Sequence, residues 1–272
     1  MIRTIKAEFR KYVRRPAVLV GSGLTAALVG LNYGIGLYEA LNPSVAPKGA
    51  APITTLYPDQ LVSTVVGAAT LTAVIAMVVA ALLAGTEYSW GTLKTSLTQR
   101  AGRLPTMRGR FVALLLWTAS LTAIIFVVGA LASLGIAAYE GHSIAWPSTS
   151  DIVKGFGAVW LVLSVSATLG TALGFLFRQP AAAVGVGLTY GLALQVIVVR
   201  FVGGLSNGAY KWLADLFEGQ NSTALLHYFS APSIGAAQAP DISEGRAVLV
   251  LCSYVAAYLI VAAAIVLRRD VT

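Results

Sequence analysis

Pro16-Ala17-Val18-Leu19-Val20-Gly21-Ser22-Gly23-Leu24-Thr25-Ala26-Ala27-Leu28-Val29-Gly30-Leu31-Asn32-Tyr33-Gly34-Ile35-Gly36-Leu37-Tyr38 carries no charge. A helix of this length exceeds the roughly 20 apolar residues that cross the hydrocarbon core of a bilayer. The basic segment before it has the charge of a signal peptide. The apolar run, however, is longer than a signal h-region of about 7 to 15 residues and has no convincing cleavage site, so it reads as a retained first span.

Working outward, long apolar runs with polar punctuation predict six spans, at about 17–37, 61–84, 111–138, 154–177, 181–202 and 247–267. These runs are far longer than the 9 to 11 residues of a membrane β-strand, and helices satisfy their own backbone hydrogen bonds in lipid. The expected fold is an all-α integral membrane protein, one transmembrane unit over residues 1–272. Composition agrees: of 272 residues, 57% are hydrophobic and 11% charged, against about 25% charged in soluble domains. The mean hydropathy is +0.78.

The net charge of +8 does not point to nucleic acid, because the basic residues flank apolar spans. Arg3, Lys6, Arg10, Lys11, Arg14, Arg15, Lys94, Arg100, Arg103, Arg108, Arg110, Arg178, Arg268 and Arg269 fall on one side of the predicted topology. Eight of the eleven acids, among them Asp215 and Glu218, fall on the other side. The positive-inside rule then places both termini in the cytoplasm and the chain in the cytoplasmic membrane. Ile2, Ile5, Phe9 and Tyr12, spaced three or four apart, predict an interfacial amphipathic helix over residues 1–15. Residues 203–246 form a long outer loop whose apolar-polar runs, Tyr210 to Phe217 and Ala224 to Phe229, suit short re-entrant helices or an ordered outer domain.

Chemistry-bearing motifs are sparse. Gly-Lys occurs nowhere, so the chain carries no Walker A loop and is not expected to be an enzyme that hydrolyses ATP itself. Cys252 stands alone, and His142 and His227 lie far apart on outer loops, which suggests no metal site. Asn32 and Gln195 are the strongly polar residues within spans; with Tyr33 and Tyr190 they are the candidate lining of a pathway for an amphipathic or apolar solute. Gly30 and Gly34, Gly170 and Gly174, and Gly187 and Gly191 are small-xxx-small pairs that permit close helix packing.

The connection between spans two and three, residues 85–110, reads Gly85-Thr86-Glu87-Tyr88-Ser89-Trp90-Gly91-Thr92-Leu93-Lys94 and runs on to Arg110. Ser89 or Thr86 is a suitable cap for a short helix, with Trp90, Leu93 and Leu97 on one face and Glu87 near its positive end. An acidic residue, three residues, Gly-Thr, a short amphipathic stretch and an arginine-rich return into the membrane resemble the permease subunit of type-2 ATP-binding-cassette exporters. Within that family the compact chain looks most similar to antibiotic-resistance and bacteriocin-immunity permeases. The resemblance extends to the basic N-terminal helix, the six spans, the segment 174–183 and the long loop before span six.

The resemblance implies that Glu87, Gly91, Thr92, Leu93, Leu97, Arg100 and Arg103 belong to a coupling helix docking on ATP-binding-cassette ATPase subunits, two per transporter. It implies a second permease copy, identical or homologous, near Gly30, Gly34, Gly187 and Gly191. ATP and magnesium would bind only to the partner ATPase, and this chain would hold no cofactor. The expected function is efflux of a drug, antibiotic peptide or lipid-like compound; the alternative is a self-sufficient gradient-driven carrier.

Overall fold

The structure is a computed structural model that describes residues 2–44, 47, 52–89, 103–204, 210–230 and 241–268. Among these, every regular element is helical: α1 (Ile2–Val13), α2 (Pro16–Leu41), α3 (Leu61–Ser89), α4 (Arg103–Glu140), α5 (Thr149–Phe177), α6 (Pro180–Gly204), α7 (Lys211–Ala214), α8 (Glu218–His227) and α9 (Glu244–Arg268), with two 3-10 turns before α3. Six helices are long and apolar enough to cross a membrane, one for each expected span.

Local chemistry sets the helix ends. Pro16 opens α2 with the fixed φ that suits a first turn, and the Asn42 side chain closes it by donating to Tyr38 O at 2.9 Å. Ser148 caps α5: its hydroxyl accepts from the Asp151 backbone N–H at 3.1 Å and donates to the Asp151 carboxylate at 2.7 Å. Arg178 ends α5 in the left-handed region, φ 56°, and Pro180 opens α6, so two residues suffice to reverse the chain.

α3 and α5 form the centre. In the most apolar window of α5, 72% of the residues are buried, against 17% for α6 and 11% for α9, so the latter two are peripheral. The central contact is backbone to backbone. A Cβ on Gly170 would lie 2.2 Å from Met77 O, and one on Gly174 would lie 2.9 Å from Ala81 O, so only glycine allows this approach. Buried hydroxyls are satisfied within this core: Thr118 and Ser164 bond across α4 and α5 at 3.0 Å, and Thr72, Thr168 and Thr171 donate back to carbonyls of their own helices.

Two expectations change. Helical structure extends past the apolar runs, with α4 starting at Arg103 rather than 111 and α5 at Thr149 rather than 154, because helix formation does not stop where charges begin. The connection after span two starts later than expected. Thr86 lies inside α3, where its hydroxyl donates back to Leu82 O at 2.7 Å, and Glu87 likewise belongs to α3. Gly91, Thr92, Leu93, Leu97 and Arg100 lie outside the described residues, and Arg103 opens α4.

Candidate functional site

Two buried polar centres lie at different levels along the α3–α5 pair. The first gathers Glu8, Arg15, Glu87 and Arg110 from α1, the turn before α2, α3 and α4. Arg110 forms an ion pair with Glu87 and lies 4.0 Å from Glu8, while Arg15 reaches Glu87 at 3.3 Å and donates to the Thr86 hydroxyl at 3.2 Å. The two acids and two arginines sum to zero charge, which makes their burial tolerable.

Tyr12 completes this centre, its ring centroid 6.5 Å from that of buried Trp117. Burial first, and then the Glu87 carboxylate, hold its hydroxyl above the ordinary tyrosine range. This side of α1 therefore carries the acid Glu8 together with Tyr12, a member of the predicted stripe.

The second centre unites Tyr190 and Gln195 of α6, Glu218 of α8, and Tyr254 and Tyr258 of α9. Gln195 Nε2 donates to Glu218 Oε1 at 3.0 Å, and the Tyr258 hydroxyl donates to Glu218 Oε2 at 2.6 Å. The Tyr254 hydroxyl donates to Leu216 O at 3.2 Å, tying α9 to the turn before α8. A π-helical turn, Thr189–Leu194, contains Tyr190, ends just before Gln195 and adds a residue to the local repeat. Burial raises the Glu218 carboxyl above its ordinary value, against the lowering influence of its two hydrogen bonds.

Beside this centre lies a cavity of about 310 Å³. Gln195 and Glu218 form its polar wall, and Met77, Leu169, Leu188 and Val196 contribute apolar surface. An apolar groove on the other side of α6 runs along Leu173, Val186 and Leu194 to Tyr190 and Tyr258. The polar cluster thus separates two apolar concavities.

Of the four expected pathway residues, the structure brings together Tyr190 and Gln195. Asn32 is exposed on α2 and Tyr33 is buried in the core near Gly129, so neither lines this cavity. Gly30, Gly34 and Gly191 face open space, whereas Gly187 packs inside the chain against Met77 and Leu173. His142 stacks on Tyr57 with ring centroids 4.0 Å apart. Among the described residues no group of three metal-ligating side chains occurs.

Sequence reasoning missed Glu218, which it placed in an outer loop, and Tyr258. The available signal was Gln195: a primary amide within an apolar span needs a hydrogen-bonding partner. It also missed Glu8, Arg15 and Arg110 as partners of Glu87, treating the arginines as topology signals.

No curated protein matches the sequence. Residues 54–272 match a family described as "Protein of unknown function (DUF2705)". The match spans α3 to α9 and includes both members of the Glu87–Arg110 pair and the whole Gln195–Glu218–Tyr258 cluster, while Glu8 and Arg15 precede it. The chain belongs to the DUF2705 family.

Proposed function

We propose that this chain is the membrane-spanning permease subunit of an ATP-binding-cassette exporter. It crosses the cytoplasmic membrane six times with both termini inside, α1 lies at the inner leaflet, and two copies pair and work with two separate ATPase subunits. The observation that carries the reading is the ion cluster of Glu8, Arg15, Glu87 and Arg110. It fastens the N-terminal helix to the end of α3 and the early turns of α4, which flank the basic connection at 90–102.

A soluble motor docked on that connection would pull on α1, α3 and α4 together. A motor changes the preferred state of a transporter only through contacts that differ between states. Helices braced by paired charges at the point of contact are suited to convert docking into displacement. The exposed apolar faces of α2 and α6, including Leu24, Leu31, Ile197 and Phe201, supply surface for lipid and for a second copy.

The test is copurification from native membranes followed by an ATPase assay. We expect a stoichiometric subunit bearing a Walker A loop, and loss of its stimulation when Leu93 and Leu97 are both changed to aspartate. Recovery of the chain without any ATPase refutes the assignment. It would favour the gradient-driven carrier.

A further inference from the structure

Glu218 is 7% exposed, and among the described residues no lysine, arginine or histidine comes within ion-pair distance of it. Its two partners, the Gln195 amide and the Tyr258 hydroxyl, are neutral donors. The bond from Tyr258 is short, at 2.6 Å. These donors position the carboxylate without neutralising it. This contrasts with the cluster around Glu87, where each acid has an arginine.

The carboxylate borders the cavity of about 310 Å³. Polar residues lining it also include Thr70, Ser166, Gln220, Ser222 and Thr223, and the remaining lining is largely aliphatic with the Met77 thioether. A buried carboxylate with no basic partner among the described residues, beside a cavity with both polar and aliphatic walls, favours a ligand that brings one positive charge and a large apolar surface. An anion would meet the carboxylate unfavourably, and a neutral apolar ligand would leave its charge uncompensated.

We propose that this cavity binds a lipophilic organic cation, its charged group against Glu218 and its apolar body along Met77, Leu169 and Val196. The inference deepens the export reading by naming the substrate class, and in that respect rests on it. Binding itself requires no ATPase, so the two stand or fall by different measurements.

The full chain in nanodiscs is titrated with radiolabelled tetraphenylphosphonium and, separately, with tetraphenylborate, a similar shape of opposite charge, with protein-free nanodiscs as the blank. The expected result is saturable binding of the phosphonium alone, weakened about tenfold or more by Glu218→Gln and unchanged by Glu140→Gln, an exposed acid outside the cavity. If Glu218→Gln does not yield a monodisperse protein, Ser166→Phe decides, because it fills the cavity away from the carboxylate and should weaken binding to the same extent. Absence of saturable phosphonium binding, equal binding of the borate, or wild-type affinity in a folded deciding variant overturns the inference. A chain that binds the cation but recruits no ATPase keeps this inference and loses the exporter assignment. The reverse outcome loses this inference alone.

Discussion

Replacing Arg110 with methionine removes one charge from a cluster that is neutral only when complete. The side chains of Arg110, Glu87 and Glu8 are 6%, 10% and 2% exposed, so solvent does little to screen the charge left behind. Glu87 would retain Arg15 at 3.3 Å, but Glu8 would lose its arginine partner at 4.0 Å. Removing one member of a buried ion pair typically costs about 3 to 5 kcal/mol. With roughly 2 to 4 °C per kcal/mol for a domain of about this size, the apparent melting temperature should fall by at least about 6 °C. Arg15→Met should cost less, because the Arg15 side chain is 18% exposed and Glu87 retains Arg110. The assay is size exclusion in mild detergent after graded heating. Combining Glu87→Gln with Arg110→Met removes both charges of a pair, so the double variant should melt above the sum of the single losses. Strictly additive losses, or a melting temperature for Arg110→Met within about 2 °C of wild type, would refute the argument that these charges are buried and interdependent.

Ser148→Ala removes the cap of α5 and should cost about 1 kcal/mol, read as a small melting shift with no change in cation binding. The raised Glu218 carboxyl predicts that phosphonium affinity declines on acidification with a midpoint above the ordinary value of 4.5, measured by repeating the nanodisc titration across pH. The groups facing it, Gln195 and Tyr190 from α6 and Tyr254 and Tyr258 from α9, carry no charge in that range, so the transition belongs to Glu218. The sign for stability is opposite. A folded-state value above the unfolded one means that the folded chain gains stability as pH falls through the raised value, so the melting difference between wild type and Glu218→Gln should shrink between neutral pH and pH 4.5. If two copies pair along the open face of α2, Gly34→Cys in a Cys252→Ser background should give an oxidative dimer; a monomer under these conditions counts against that face.

The six long helices were legible because each is dominated by one property, apolar composition, which needs no knowledge of neighbours. The polar centres were less legible because pairing between distant segments is a tertiary fact. Glu87 stood out in sequence, but its acidic character at the end of an apolar run suggested a helix start. In the structure it lies within α3, paired with Arg15 and Arg110 from remote parts of the chain. Glu218 follows a run of mixed polarity in a long loop, and only the packing of α8 against α5 and α9 buries it. Gly170 and Gly174 were visible as a small-xxx-small pair, yet their pattern did not specify that the partner would be the Met77 and Ala81 carbonyls of the same chain.

That glycine contact links the two polar centres. α3 carries Glu87 at one of them and Met77 on the cavity wall at the other, with ten residues, or about 15 Å of helix, between them. α5 borders both, through Thr171 and Phe175 near the ion cluster and Ser166 and Leu169 at the cavity. Because Gly170 holds these helices at backbone contact, displacement of α3 by an ATPase subunit would be transmitted to the cavity wall. Gly170→Ala would place a methyl group 2.2 Å from Met77 O and force the helices apart. Its expected effect is therefore on coupling. In the wild-type complex, saturating tetraphenylphosphonium should change the affinity for the ATPase subunit by the same factor that the ATPase changes the affinity for the cation, since linkage is reciprocal. In folded Gly170→Ala that factor should approach one while each ligand still binds alone. A variant that retains the full factor would show that the two sites communicate by a route other than the α3–α5 contact.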